Sequence, residues 1–383
     1  MMKKIITKIK SNLLHKWWFH QQQNTFFERI INIPVILSKY LPSPLKKSFV
    51  TFIDNIGLAL FRLIHVLSSI FQPYYLFEGS EKLTSKRIKI LFKGNPKNLQ
   101  FITKRLYRNP IQITKINKKQ AKKWKRKKGK KEKIHPDVII TESEIFYRSY
   151  FQKKGYIIIP EYVTFLLDTA ESMDEIIDRI SVDIAQDIQK AKKTNYTFEV
   201  RNDSDAFNLF YYQMYLPYLT WKHKNSNRTA SYATIQHLHA QGAEILFIKH
   251  ADEYIFGGIF HKEKNIMKTY YAGLMNNKFS HLHNGIMALS YYYLITIAKK
   301  RMCQFIDFGT AEPFTDDGLY TYKNKWKMDI IKSPPYSSDI FSIKIFNKQN
   351  IFDQFINNHP IHYFDGARLK ILKKECLTRS KKA

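Results

Sequence analysis

The chain has 383 residues, which is enough for two or three domains with cores of their own. Hydrophobic residues make up 44% of the chain and aromatic residues 15%, a composition that excludes a disordered protein. Two cysteines exclude a disulfide framework and predict a reducing, cytoplasmic setting. The net charge of +31 attracts nucleic acid, anionic lipid or polyanionic substrates, although lysine enrichment on solvated surfaces explains it equally well.

Residues 1–80 are predicted to be mainly helical, with several interrupting prolines. The first helix places Ile5, Ile9, Leu13 and Trp17 on one face beside lysines, a pattern typical of peripheral contact with an anionic membrane through residues 1–77. The alternative is that this stripe packs on its own domain. No apolar run reaches the ~18–20 residues of a membrane span.

Residues 81–141 are predicted to form a small α/β unit. Its strands are expected at 87–94, 111–117 and 137–143, with a helix at 96–107. A basic loop, residues 115–133, carries twelve basic residues and one acidic residue around Trp124. The loop is either a nucleic-acid or phosphate-binding patch or a mobile, solvated segment.

The pattern changes after Glu142, where helices and strands alternate up to residue 347. One periodic helix is predicted at 173–195, and a second, kinked near Pro217, at 205–224. Three antiparallel strands follow at 243–250, 254–262 and 266–273, and then a helix at 285–301 and a strand at 303–309. A last hairpin, 328–334 with 340–346, precedes a helical, basic tail at 348–383.

Three stretches in this region resemble the GNAT superfamily of acyltransferases, and specifically its FemAB-type and CelD-like branch. They read "IDRISVDIAQDIQKAKKTNYTFEV", "AEILFIKHADEYIFGGIFHKEKNIMKTYYAG" and "FIDFGTAEPFTDDGLYTYKNKWK". The last is the most specific, since a strand ending Asp-Phe-Gly is followed by Gly-Leu-x-x-Tyr-Lys. The resemblance covers roughly residues 142–347. It implies an α/β fold with a mixed, mostly antiparallel sheet and flanking helices, preceded here by the helical N-terminal region and the small α/β unit.

The resemblance also implies where an acyl donor binds. The sheet is expected to splay apart between the strand ending near Gly273 and the strand 304–308, with the donor in the opening. Backbone N–H groups at the start of the next helix would hold the donor's pyrophosphate. The resemblance implies acyl-CoA as the co-substrate. The family's usual glycine-rich loop is absent here, so an aminoacyl-tRNA or another activated carrier stays open as the donor. The expected donor-binding residues are Lys278, His281, His283, Asn284, Gly285 and Gly309.

Acyl transfer needs a proton acceptor and a stabilised oxyanion. Asp307 or Glu312 is the predicted base and Tyr320 or Tyr322 the predicted acid, while Asp307 has the alternative role of capping its own loop. Phe308, Lys323 and Lys325 are predicted to contact substrate, with a solvated face as the alternative for the two lysines. No metal site is predicted, because the paired histidines lie in helix or loop segments without suitable carboxylates or cysteines.

The predicted function is a cytoplasmic N- or O-acyltransferase, with a possible peripheral position at the inner face of the membrane. It would move an acyl group from an activated donor to an amine or hydroxyl of a sugar, a peptide or a cell-envelope precursor. The envelope bias comes from the resemblance. The alternatives are a basic RNA- or nucleic-acid-binding protein that uses residues 115–133 on a degenerate transferase scaffold, and a membrane-surface adaptor without catalysis.

Overall fold

A computed structural model describes residues 72–121, 136–222, 229–276, 278–332, 339–347 and 349–372. The predicted N-terminal membrane contact and most of the basic loop lie outside these residues. The described chain is mixed α/β, with strands in three sheets and flanking helices, so the predicted fold class is confirmed. It forms two compact units. Unit 1 comprises Thr164–Gly309 and Tyr322–Ile330, and unit 2 comprises 72–163, Thr310–Thr321 and the chain after Ile330. The predicted domain boundaries at 80, 141 and 347 remain predictions.

The strands are numbered in chain order. They are β1 (Tyr74–Ser80), β2 (Arg87–Lys93), β3 (Gln112–Ile116), β4 (Val138–Glu144), β5 (Ile157–Pro160), β6 (Val163–Asp168), β7 (Thr197–Arg201), β8 (Glu244–His250), β9 (Glu253–Glu263), β10 (Ile266–Leu274), β11 (Phe305–Ala311), β12 (Asp329–Lys332), β13 (Asp339–Ile345), β14 (Ile361–Asp365) and β15 (Arg368–Leu372). The expectation of helix up to residue 80 is wrong for β1, whose side chains alternate across a sheet.

The α-helices are α1 (Gln100–Leu106), α2 (Arg148–Lys153), α3 (Met173–Arg179), α4 (Val182–Lys193), α5 (Ser204–Leu209), α6 (Leu216–Lys222), α7 (Tyr232–Ala240), α8 (Ile286–Lys300), α9 (Gly318–Asn324) and α10 (Gln349–Asn358). Short 3₁₀ segments at Pro96–Leu99, Ile145–Tyr147 and Phe279–Asn284 precede α1, α2 and α8, and a π-helical segment, Phe210–Tyr215, joins α5 to α6. The single helix predicted at 173–195 is wrong, because Ile180 is extended and Ser181 starts a new helix.

Unit 1 holds a seven-stranded sheet in the order β12-β6-β11-β10-β9-β8-β7. Strands β8 to β10 are antiparallel, as predicted; β7 also pairs antiparallel with β8, and β11 runs parallel to β10. One face of β8 and β9 packs against α5, α7 and the π-helical segment through a buried cluster that includes Phe207, Phe210, Leu238 and Phe247. These apolar positions recur with the strand and helix periods, which is why the sequence predicted the elements correctly.

Unit 2 holds a six-stranded sheet in the order β3-β1-β2-β4-β13-β5, and a hairpin of β14 and β15. All neighbours are antiparallel except β2 and β4, which are parallel. The predicted hairpin of 328–334 with 340–346 is wrong, since β13 pairs with β4 and β5 while β12 lies at the edge of the other sheet. Between residues 349 and 372, the described part of the predicted helical tail, the prediction is correct for α10 and wrong for β14 and β15; the apolar face of α10 joins the core of unit 2.

Among the described helices, none has both the length and the apolar character required to cross a lipid bilayer.

Candidate active site at the diverging strands of unit 1

Strands β10 and β11 pair with each other over only three residues each, ending at Lys268 opposite Asp307. Both strands continue past this point, β10 to Leu274 and β11 to Ala311. The two backbones therefore diverge immediately before Phe308, and the predicted splay of the sheet is confirmed. At the point of divergence, the hydroxyl of Thr269 donates a hydrogen bond to the backbone oxygen of Asp307 at 3.3 Å.

A β-bulge lies on β10 just beyond the divergence. The register with β9 shifts between Thr269 and Ala272, which places one extra residue on β10. A bulge bends its strand and leaves a residue outside the ladder. Beyond Lys268, the ladder between β10 and β11 ends, while β10 pairs with β9 as far as Leu274. Backbone N–H and C=O groups at the end of a ladder can bind the amides of an extended ligand or stabilise a developing oxyanion.

Asp307 stands at the apex of this opening. Its Oδ1 accepts a hydrogen bond from the backbone N–H of Gly309 at 2.7 Å, and no other hydrogen bond from the described residues reaches its carboxylate. Burial raises the pKa of Asp307, and the Gly309 N–H and the ammonium groups of Lys268 and Lys323 only partly oppose it. The predicted cap of its own loop is thus present, and it leaves Oδ2 available to accept a proton.

Gly309, two residues after Asp307, has a backbone conformation that favours glycine. Its φ of 77° lies in the left-handed region that favours glycine. A Cβ at this position would lie 3.7 Å from Nζ of Lys323 and 3.9 Å from the backbone oxygen of Thr269, so the conformation rather than a close contact requires glycine. Lys323 is only 4% exposed, and its Nζ lies 5.6 Å from the centroid of the Phe165 ring.

Two neighbours of Asp307 were missed by the sequence interpretation. Lys268 is its register partner on β10, and Nζ of Lys268 donates to Oε2 of Glu263 at 2.6 Å. Tyr270 donates to Oε1 of the same glutamate at 3.2 Å. Burial alone would raise the pKa of Glu263, but the hydrogen bond and charge of Lys268 hold it below its usual value. Only the parallel register of β10 and β11 brings Lys268, Tyr270 and Glu263 near Asp307, and a single sequence does not reveal that register.

The aromatic side chains around the motif form a core and not a binding surface. Phe308 is 3% exposed and stacks on Tyr291 with ring centroids 4.3 Å apart. Tyr291 also contacts Trp326 and Tyr322. Burial raises the pKa of Tyr322 well above its usual value, which disfavours its ionisation. We therefore assign neither substrate contact to Phe308 nor acid catalysis to Tyr322.

Lys325 is turned away from this site, because its Nζ pairs with the carboxylate of Asp183 on α4. The geometry gives this lysine a structural contact on the surface of unit 1. The solvated-face alternative describes it better than substrate binding does.

Glu312 and Tyr320, the other two predicted catalytic residues, belong to unit 2. Glu312 accepts hydrogen bonds from Lys104 and Arg105, each at 2.7 Å. Burial alone would raise the pKa of Glu312, but these two cations hold it below its usual value. The hydroxyl of Tyr320 lies 2.8 Å from Nε2 of His362, and burial raises the pKa of Tyr320 to about 12. These partners give both residues a role in stabilising unit 2, and we assign neither of them to catalysis.

Helix α8 begins at Ile286 after a left-handed Gly285, where the resemblance places the donor pyrophosphate. A Cβ on Gly285 would lie 2.2 Å from the backbone oxygen of Asp187, so α4 packs tightly against this turn. Lys190 of α4 donates to the backbone oxygen of His283. The roles of Gly285, His283 and Asn284 in donor binding stay predictions.

The other two predicted donor-binding residues already have partners within unit 1. His281 Nδ1 lies 2.5 Å from the hydroxyl of Tyr196, and Nζ of Lys278 lies 2.8 Å from Oε2 of Glu253. Burial, His250 and Lys278 lower the pKa of His281, so this imidazole is held towards its neutral form. Their proposed contact with a donor also stays a prediction. In the part of the chain that the structure describes, no three His, Cys, Asp or Glu side chains group as metal ligands.

Unit 2 contains a second pair of parallel strands with an opening at its end. Strands β2 and β4 pair up to Lys93 opposite Thr141, and β4 continues to Glu144. A cavity of about 290 Å³ lies at this end of the pair. Here the carboxylate of Glu142 accepts from the backbone N–H of Asn95 at 2.7 Å and from the side chain of Asn98 at 2.5 Å. A carboxylate of the protein itself therefore occupies the start of the following helix, which distinguishes this opening from that of unit 1.

Comparison with solved structures finds distant similarities. FemX matches at 14% identity and a TM-score of 0.39, over 76% of this chain and 92% of that chain. L-PGS from Bacillus licheniformis matches at 11% identity and a TM-score of 0.36, over 70% of this chain and 81% of that chain. A protein of Enterococcus faecalis V583, described as a probable N-acyltransferase, matches at 10% identity and a TM-score of 0.29, over 91% of this chain and 82% of that chain. No protein-family model matches the sequence, and no curated protein matches it significantly. Similarities this distant carry no activity over to this chain.

Proposed function

We propose that unit 1 is an acyltransferase whose reaction takes place between the diverging ends of β10 and β11. The observation that carries the proposal is the end of β10–β11 pairing at Lys268 and Asp307, where the half-buried carboxylate of Asp307 keeps one oxygen without a hydrogen bond from the described residues. An extended amide-bearing donor can bind where two strands stop pairing, as an added strand does at the edge of a sheet. The late sequence motif, which contains Asp307, supports the same reaction class.

The chemistry follows from the groups in the opening. An amine or hydroxyl of the acceptor attacks the acyl carbonyl carbon, and Oδ2 of Asp307 accepts the proton that the acceptor loses. Backbone N–H groups of β10 beyond Lys268 stabilise the oxyanion, and the nearby ammonium of Lys323 adds positive charge. The bond from the carbonyl carbon to the sulfur or oxygen of the donor then breaks. Asp307 returns the proton to this leaving group, which restores the carboxylate.

We propose an acyl-CoA or an aminoacyl-tRNA as the donor, and an amine or hydroxyl of a sugar, a peptide or a cell-envelope precursor as the acceptor. Both classes of donor carry an activated carbonyl on a polyanion, which suits a chain with a net charge of +31. The acceptor classes derive from the sequence resemblance.

The test incubates the full-length protein with acyl-CoA thioesters or aminoacyl-tRNAs and with amine- and hydroxyl-bearing sugars and peptides, and detects acylated products by mass spectrometry. At least one combination should give product. Asp307→Asn should lower its rate by about 10²-fold or more, because the amide cannot accept the proton. The matched control is Asp205→Asn, an exposed aspartate of α5 in the same unit, which should retain the wild-type rate.

Two outcomes would contradict the proposal. One is a wild-type rate of transfer in the Asp307→Asn variant. The other is the absence of product from every donor with protein whose circular dichroism shows that it is folded.

A further inference from the structure

A row of alternating charges runs from the opening of unit 1 towards the surface. It begins at Asp307 on β11, passes through Lys268 on β10 and ends at Glu263, the last residue of β9. The side chain of Lys268 is 25% exposed and that of Glu263 is 44% exposed, so the row becomes more solvated with distance from Asp307. Tyr270 adds a hydrogen bond to Glu263 at the outer end.

This arrangement restricts the ammonium of Lys268 to one place. The flexible stem of a lysine normally lets its charge spread over several positions. Here the 2.6 Å contact with Glu263 holds Nζ, while the parallel register holds its Cα beside that of Asp307. A cation held near a carboxylate stabilises the ionised form of that carboxylate, and Lys268 has this effect on Asp307.

We propose that Lys268 and Glu263 are positioning residues that together set the proton affinity of Asp307 for the reaction. Lys268 supplies the positive charge that favours the carboxylate, and Glu263 anchors this charge while its own negative charge opposes it. The balance leaves Asp307 a stronger base than a carboxylate beside an unopposed lysine would be. The proposal rests on the function proposed above for its kinetic consequence, whereas the proton affinity itself is measurable without any substrate.

The groups that face Asp307 come from three other elements of unit 1. Strand β10 contributes Lys268 and Tyr270, β9 contributes Glu263, and α9 contributes Lys323. Lys323, like Lys268, lowers the pKa of Asp307, whereas Glu263 raises it. Removal of one charge from the row therefore has a defined sign: loss of the cation raises the proton affinity of Asp307, and loss of the anion lowers it.

The experiment titrates Asp307 by NMR in protein labelled with ¹³C at aspartate carboxyl carbons, and assigns its signal by its disappearance in Asp307→Asn. Lys268→Met, which keeps the length of the side chain, should raise the Asp307 midpoint by about one pH unit or more. Glu263→Gln, which can still accept a hydrogen bond from Lys268, should lower it. The matched control is Lys264→Met, an exposed lysine in the turn after Glu263, which should leave the midpoint unchanged.

We expect the midpoint to shift in opposite directions in Lys268→Met and Glu263→Gln, and to return to the wild-type value in Lys268→Arg. A purely structural contact would not shift the Asp307 midpoint in two directions. Shifts of the same sign, or none, overturn the inference. If Lys268→Met does not fold, the direction of the Glu263→Gln shift decides. If a transfer reaction is found, the acidic limb of its kcat/KM profile should move with the NMR midpoint. If no reaction is found, the proposed function fails while the titration still decides this inference.

Discussion

Gly285→Ala tests how α8 is seated on α4, and the structure sets the size of its effect. A left-handed residue other than glycine costs roughly 1–2 kcal/mol. The new Cβ would also lie 2.2 Å from the backbone oxygen of Asp187 and 2.8 Å from its carbon, so the backbone of α4 must move. Overpacking of this kind adds roughly 1–3 kcal/mol. The expected loss of unfolding free energy is therefore about 2–5 kcal/mol.

The matched control is Gly366→Ala in the hairpin turn between β14 and β15. Gly366 has a φ of 60°, and a Cβ there would meet no atom within 4 Å, so only the conformational cost applies. Urea unfolding followed by circular dichroism measures both free energies, and hydrogen exchange assigns each loss to unit 1 or unit 2. Equal losses in the two variants would refute the packing of Gly285 against Asp187.

Two predictions concern unit 2, each followed by urea unfolding as a function of pH. Glu312→Gln should lower the unfolding free energy by about 1–2 kcal/mol at neutral pH, since it removes the carboxylate that pairs with Lys104 and Arg105 while Asp316 and Asp317 still face Arg105. The pKa of Glu312 is lower in the folded state than in the unfolded state, so its contribution to stability is present above the unfolded pKa and is lost as the pH falls. The unfolding free energies of wild type and variant should therefore converge in acid. A difference that stays constant with pH would contradict this prediction. Burial lowers the pKa of His362 to about 4, so unit 2 should lose roughly 3 kcal/mol as the pH falls from about 6.5 to 4. His362→Gln should remove that slope, and a retained slope would place the titrating group elsewhere.

The late motif shows how far local sequence information reaches. It predicted a strand that contains Asp307, a glycine beside it and a helix carrying Lys323, and all three are present, although the strand continues past Asp307 to Ala311. The motif did not separate Asp307 from Glu312, because both are acidic and lie near the predicted end of that strand. Their surroundings separate them: Glu312 is paired with two cations of α1, whereas Asp307 keeps one oxygen free of hydrogen bonds from the described residues.

The errors in the predicted elements also arise because local sequence does not determine which distant segments pack together. The hairpin of β12 with β13 was predicted because two short strands flank a segment with Ser333 and Pro334, and that pattern is typical of a turn. Each strand instead joins a different sheet: Phe341 of β13 is buried in the core of unit 2, whereas Ile330 and Ile331 of β12 are only half-buried and exposed, respectively. Adjacency in sequence favours pairing but does not require it.

The sequence by itself determined which segments are strands and helices over most of unit 1, because apolar periodicity and turn residues act over a few neighbouring positions. It also located the opening, through a motif that spans one strand and one helix. Only the tertiary structure decided which charges face each other there, since the partners of Asp307 lie about forty residues away on β10 and at the end of β9. Strand register is fixed by packing between distant parts of the chain, and a change of one position would turn Lys268 to the opposite face of the sheet.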